Sequence, residues 1–150
     1  MRALPVWSRS EYARRLGAQR RGDLVQAVAW LDQEPIGRGM VLFPAHEEYS
    51  ISAVRERCAE VRDVFVAFEH RRRGAARALM ASLEAAAREG GMVRTGLTVS
   101  LDEDAAPARA LYSRLGYAKA HGPFVTSANL AGDEGPVPVG AVLTYLAREL

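Results

Sequence analysis

One cysteine and one lysine among 150 residues are the first things this chain has little of. With Cys58 alone no intrachain disulfide can form, and His46, His70 and His121 have no metal-ligand spacing with it or with one another. A disulfide scaffold and a zinc module are thereby excluded, no metal is expected, and a reduced, cytoplasmic setting fits best. Long hydrophobic runs are missing too: no window approaches the ~20 apolar residues of a membrane span, and the opening MRALPVWSRSEY lacks the apolar core of a signal peptide. Charge of one sign is not in excess, and a net charge of +2 is too small to imply a nucleic-acid partner. Lys119 aside, every basic residue is arginine, a planar donor suited to phosphate and carboxylate. The length predicts a single domain over residues 1–150.

A further absence is local. From Val61 an apolar strand runs through Arg71, Arg72 and Arg73 into Gly74-Ala75-Ala76 and a long alanine-rich helix. Such a helix start normally carries Ser, Thr, Asp or Asn to cap its free amides, with acids in the first turn. Here there is neither, and three arginines add to the positive helix end. Small residues let a ligand approach the backbone, so the turn is either a site for an anion such as phosphate or a solvated basic helix end.

Along the chain, Ala3–Val6 predicts a short edge strand, and Ser8 with Glu11 has capping-box spacing for a helix from Arg9 to Arg20. Leu24 to Asp32 and Ile36 to Phe43 predict a hairpin turning at Gln33-Glu34-Pro35, with Gly37 and Gly39 marking a bulge or close backbone contact. Ala59 to Ala67 is the central strand. Ala78, Leu79, Leu83 and Ala86 give the helix Gly74 to Glu89 its apolar spacing, and Gly96 to Leu101 is a strand parallel to the central one. Asp102-Glu103-Asp104 caps a helix that carries Pro107 in its first turn and ends near Leu115. Tyr117 to Val125 and Val139 to Ala147 are closing strands separated by a loop from Ser127 to Pro138. The layout is a mixed sheet with helices on both faces, class α/β or α+β.

Two motifs in this order resemble the GNAT acyl-CoA-dependent N-acetyltransferases. The family's acyl-donor motif, Arg or Gln, two residues, Gly, one residue, Gly or Ala, appears as Arg71-Arg72-Arg73-Gly74-Ala75-Ala76, with Val66 five residues before the arginine. Its second motif, usually Asn-x-x-Ala-x-x-Leu-Tyr and then Gly-Phe or Gly-Tyr, appears as Ala105 to Tyr112 and then Gly116-Tyr117. Phe68 replaces a common proline, and Ala105 replaces the asparagine that in many relatives hydrogen-bonds near the cofactor.

The resemblance implies a mostly antiparallel sheet with a central parallel strand pair. It implies acetyl-CoA as acyl donor: the pyrophosphate on the turn of Arg71, Arg72, Arg73, Gly74, Ala75, Ala76 and Arg77, the pantetheine arm along the backbone of Val64, Phe65 and Val66, and Ala105, Ala108 and Tyr112 bordering the donor. The implied reaction is direct attack of a primary amine, on a small molecule or a peptide, through a tetrahedral intermediate. An alkyl amine of pKa ~10.4 is neutral in only about one molecule in a thousand at pH 7, so a base is needed. Glu60 matches the base of the histone-acetylating branch; Asp63 is the other carboxylate on the strand, three residues on and so expected on the opposite face. Tyr112 occupies the position of the acid for the leaving thiolate. Glu47, Glu48, Asp133 and Glu134 fall in loops that border the acceptor side or are merely solvated. A non-catalytic acyl-CoA sensor or partner-binding domain is the alternative function, a basic nucleic-acid module a more remote one, and the resemblance leaves room for a homodimer.

Overall fold

The computed structural model describes the backbone of residues 8–51, 56–132 and 135–150 and, within these, the side chains outside 126–139 and 141. The predicted strand Ala3–Val6 lies outside the described residues.

Helix α1 (Arg9–Arg21) starts as its spacing predicts: Ser8 Oγ accepts from the Glu11 amide at 3.2 Å while the Glu11 carboxylate accepts from the Ser8 amide at 3.2 Å. Strands β1 (Leu24–Leu31) and β2 (Glu34–Leu42) form the hairpin, but Leu31 pairs with Glu34, so the turn is Asp32-Gln33 rather than Gln33-Glu34-Pro35. Both turn residues have positive φ, +48° and +67°, the twist a two-residue hairpin loop requires.

Next come β3 (Cys58–Val66), α2 (Ala75–Glu89), β4 (Arg94–Ser100), α3 (Ala106–Arg114), β5 (Ala118–Gly132) and β6 (Gly135–Glu149). The sheet order is β1-β2-β3-β4-β6-β5, antiparallel throughout except for the β3/β4 pair. One expectation fails here: residues predicted as a loop between Ser127 and Pro138 continue the β5/β6 ladder as far as Gly132 opposite Gly135. A second concerns Asp102, whose side chain makes no helix-capping bond and accepts instead from Ser100 Oγ at 2.9 Å; a 3-10 turn, Glu103–Ala105, leads into α3.

Alternation along β2 divides the two sides of the sheet. Met40 and Leu42 pack with Leu24 and Ala18 of α1, whereas Val41 joins Val61, Leu97, Val99 and the Met80, Leu83 and Ala87 side chains of α2. The buried face of α2 is Leu79, Met80, Leu83, Glu84 and Ala87, rotated from the predicted one, since Ala78 is exposed and Ala86 half-buried. The glycines of β2 admit that helix: a Cβ on Gly39 would stand 3.0 Å from Leu83 Cδ1, and one on Gly37 would stand 2.9 Å from the Phe65 carbonyl oxygen.

Candidate active site

The parallel pair that supports the site is short. β3 and β4 are in register only at Cys58/Arg94, Ala59/Thr95 and Glu60/Gly96. Beyond that point β3 follows β2 to Val66, opposite Gly37, and β4 follows β6 to Ser100, opposite Leu143. The two strands therefore diverge, and the backbone edge of β3 after Glu60 has no ladder partner on that side among the described residues. A cleft of about 540 Å3 occupies the wedge, lined among others by Ser50, Glu60, Asp63, Tyr112, Phe124 and Tyr145.

A bulge shapes the β3 wall. Arg38 pairs with Phe65 but Met40 with Arg62, so three residue steps on β3 oppose two on β2, and Asp63 takes φ +52°. The extra residue resets the alternation. Asp63 does not turn to the opposite face from Glu60, as strict alternation predicts; both line the cleft, and Asp63 Oδ2 is 3.2 Å from Arg15 Nη1 on α1. Val64 packs on the α2 side.

At the end of β3 a 3-10 turn, Phe68–His70, leads to the arginines. Arg71 Nε donates to the Val66 carbonyl at 2.9 Å, and its guanidinium lies 5.6 Å from the Phe65 ring centroid and 5.5 Å from that of Phe68. Arg71 thus braces the turn, while Arg72, Arg73 and Arg77 are exposed. Gly74 caps α2 with φ +87°, no side chain caps the helix, and no acid stands in its first turn. Nothing lies within 4 Å of where a Gly74 Cβ would be, so the helix end is open, as a bound anion would need.

Tyr112, on α3, packs edge-on against Tyr117 with centroids 5.8 Å apart, and burial pushes its phenol pKa up. Its hydroxyl stays protonated and has no hydrogen-bond partner among the described residues. Tyr117 is held rigidly behind it: its hydroxyl donates to Glu84 Oε1 at 2.9 Å and so accepts from Thr95 Oγ1 at 2.7 Å, and Glu84 pairs with Arg148 at 2.9 Å. Ala105, at the end of the 3-10 turn, and Ala108, on α3, are half-buried, and neither lines the cleft; Ala105 packs on the core.

Glu60 is no surface charge. It is 2% exposed and accepts from the Ser50 amide at 2.9 Å, Ser50 Oγ at 2.8 Å and Arg62 Nε at 3.1 Å. The loop acids are occupied as well: Arg14 pairs with Glu47 at 3.4 Å and with Glu48 at 2.9 Å. Asp133 and Glu134 lie outside the described residues. Ser50, Arg62, Phe124 and Tyr145 belong to the cleft without having been singled out in the sequence. Only Arg62 had a signal, standing two residues after Glu60 and so on its face of β3. No group of three His, Cys, Asp or Glu able to hold a metal occurs among the described residues, and no described helix is long and apolar enough to cross a membrane.

The splayed strands and the open helix end can be set beside known proteins. No curated protein sequence matches the chain. In structure it resembles the ribosomal-protein-alanine N-acetyltransferase of Brucella melitensis, with a TM-score of 0.69 and 18% identity over 97% of this chain and 81% of that one. The ribosomal-protein-S18-alanine N-acetyltransferase of Escherichia coli gives a TM-score of 0.63 and 19% identity over 98% of this chain and 79% of that one. PaiA N-acetyltransferase of Thermoplasma acidophilum, solved in complex with coenzyme A, gives 0.62 and 14% over 95% and 74%. At such identities the likeness concerns the fold. The sequence itself matches the model of the acetyltransferase (GNAT) family over residues 2–117, and the chain belongs to that family.

Proposed function

We propose that the chain transfers an acetyl group from acetyl-CoA to a primary amine, carried by a small molecule or a peptide. The observation that carries this is the uncapped start of α2 at Gly74, following the strand that forms one wall of a cleft containing a protonated tyrosine and a buried carboxylate. The amides of Ala75, Ala76 and Arg77 with the exposed Arg72 and Arg73 hold the pyrophosphate, while Arg71 keeps the turn in place from Val66. The open edge of Val64, Phe65 and Val66 takes the amide-bearing arm as a sheet edge takes a strand.

Tyr112 donates its proton to the departing thiolate. A phenol of raised pKa is a hydrogen-bond donor throughout the neutral range, and its hydroxyl is not spent on another group among the described residues. Glu60 receives the proton that the amine must lose. Acetyl-CoA at ~100 times its dissociation constant should stabilise the fold by about 2.7 kcal/mol, visible in thermal unfolding. Absence of a shift, or of thiol release with any amine, overturns the proposal.

A further inference from the structure

Ser50 was not among the residues expected to do chemistry, and its hydroxyl occupies the most informative position in the cleft. It donates to Glu60 Oε1 at 2.8 Å and accepts from Arg62 Nη2 at 3.0 Å. A serine hydroxyl has one proton and two lone pairs, so one lone pair takes no donor among the described residues. The residue is exposed to the cleft and Glu60 is 2% exposed, with its two oxygens already facing the Ser50 amide, Ser50 Oγ and Arg62 Nε. Of the two, Ser50 is the one that an ammonium group in the cleft can reach.

We infer that Ser50 is a proton relay: the acceptor binds as its ammonium, gives a proton to Ser50 Oγ, and the Ser50 proton passes to Glu60 Oε1. One N–H and one O–H bond break while one O–H bond forms on each side, leaving a neutral amine and a neutral carboxylic acid. No oxidant or further reactant is needed. After product release the same path returns the proton to water, because Ser50 reaches solvent and Glu60 does not. The inference rests on the acetyltransferase proposal.

The surroundings favour this route. Tyr145 Oη of β6 donates to the Ser50 carbonyl at 3.2 Å and fixes the segment from across the cleft. Arg62 holds the pair together, donating to Glu60 at 3.1 Å and to Ser50 Oγ at 3.0 Å, and Glu48, 3.8 Å away, offsets part of a positive charge that otherwise opposes protonation of Glu60. The other groups near it are Asp63, already paired with Arg15, Tyr49, whose hydroxyl donates to the Cys58 carbonyl, Tyr112 across the wedge, and His121, stacked on Tyr145 at 5.8 Å.

The test measures thiol release from acetyl-CoA by wild type, Ser50→Ala and Ser50→Thr across a panel of alkyl amines and, for each, the matching aminooxy compound, which is already neutral at pH 7. Acetyl-CoA-dependent thermal shifts of all three proteins check folding and donor binding. With alkyl amines, Ser50→Ala should lower kcat/KM about 100-fold and move the acid limb of the pH profile upward. With aminooxy acceptors the loss should be under about 5-fold, and Ser50→Thr should restore most of the activity. Equal losses with both acceptor classes, or none, overturn the relay while the acetyltransferase proposal stands. A wild type that acetylates nothing in the panel removes that proposal and the relay with it.

Discussion

The Arg15 guanidinium lies 3.2 Å from the Asp63 carboxylate and so ties α1 to the bulge in β3. Arg15 is 8% exposed and its Nη1 also touches Met40 Sδ at 3.1 Å, so the carboxylate matters more than in a surface pair. Asp63→Asn keeps a residue that tolerates the left-handed backbone but removes the charge, and should cost about 1–2 kcal/mol in urea unfolding. Asp63→Val should cost about 1–2 kcal/mol more, because a β-branched residue is strained at positive φ. If Asn were neutral, the ion pair would not support the bulge.

That bulge shows where sequence reasoning stops. Strand β3, the uncapped helix and the parallel partner were legible because they depend on local pattern: apolar runs, missing caps, glycine and alanine where an acid would be usual. The bulge was not, since aspartate enters the left-handed region without a glycine to announce it, and the alternation argument for Glu60 and Asp63 failed with it. The hairpin turn at Asp32-Gln33 escaped for the same reason. Ser127 to Pro138 read as a loop from its glycines and prolines, although strand pairing overrode composition. Glu84 sits on the buried face of α2 only because Tyr117 and Arg148 satisfy it, and Arg148 is 64 residues away in sequence. Ser50 likewise has meaning only beside Glu60 and Arg62.

Two glycines separate donor binding from folding. Gly74→Ala meets no neighbouring atom but must hold φ +87°, so it should cost about 1–2 kcal/mol of stability and weaken acetyl-CoA binding at the helix end. Gly37→Ala would put its Cβ 2.9 Å from the Phe65 carbonyl and 3.3 Å from Val66 Cγ2, pushing on the strand end proposed to carry the donor arm. Its stability loss should exceed that of Gly74→Ala. Calorimetric titration with acetyl-CoA alongside thermal unfolding checks both; a Gly74→Ala protein with unchanged donor affinity would contradict the anion role of that turn.

Tyr112→Phe should be a clean removal. The hydroxyl bonds to no described protein group, so stability should change by less than about 0.5 kcal/mol, while the ring keeps its packing on Tyr117. Loss of the proposed proton donor should lower kcat by about 100-fold or more and abolish the alkaline limb of the pH profile. Retained turnover with an unaltered profile would reduce Tyr112 to a packing residue.

Stability at high pH should fall earlier than the chain's arginines alone would suggest, and Cys58 is the reason. Burial pushes its thiol from 9.0 up to about 11, and burial likewise raises Tyr49 from 10.0 to about 12. The folded state holds these protons after the unfolded chain has begun to release them, so the folded state binds more protons and stability declines as pH rises. The thiol contributes fully below pH 9, and its contribution is lost as pH climbs from 9 towards 11. Tyr49 acts one unit later. Cys58→Ala leaves a small cavity and should lower the melting temperature slightly at pH 7, yet its melting temperature should decline less between pH 9 and 10 than that of the wild type. Parallel curves for the two proteins across that range would mean that the buried thiol is not what links proton release to unfolding.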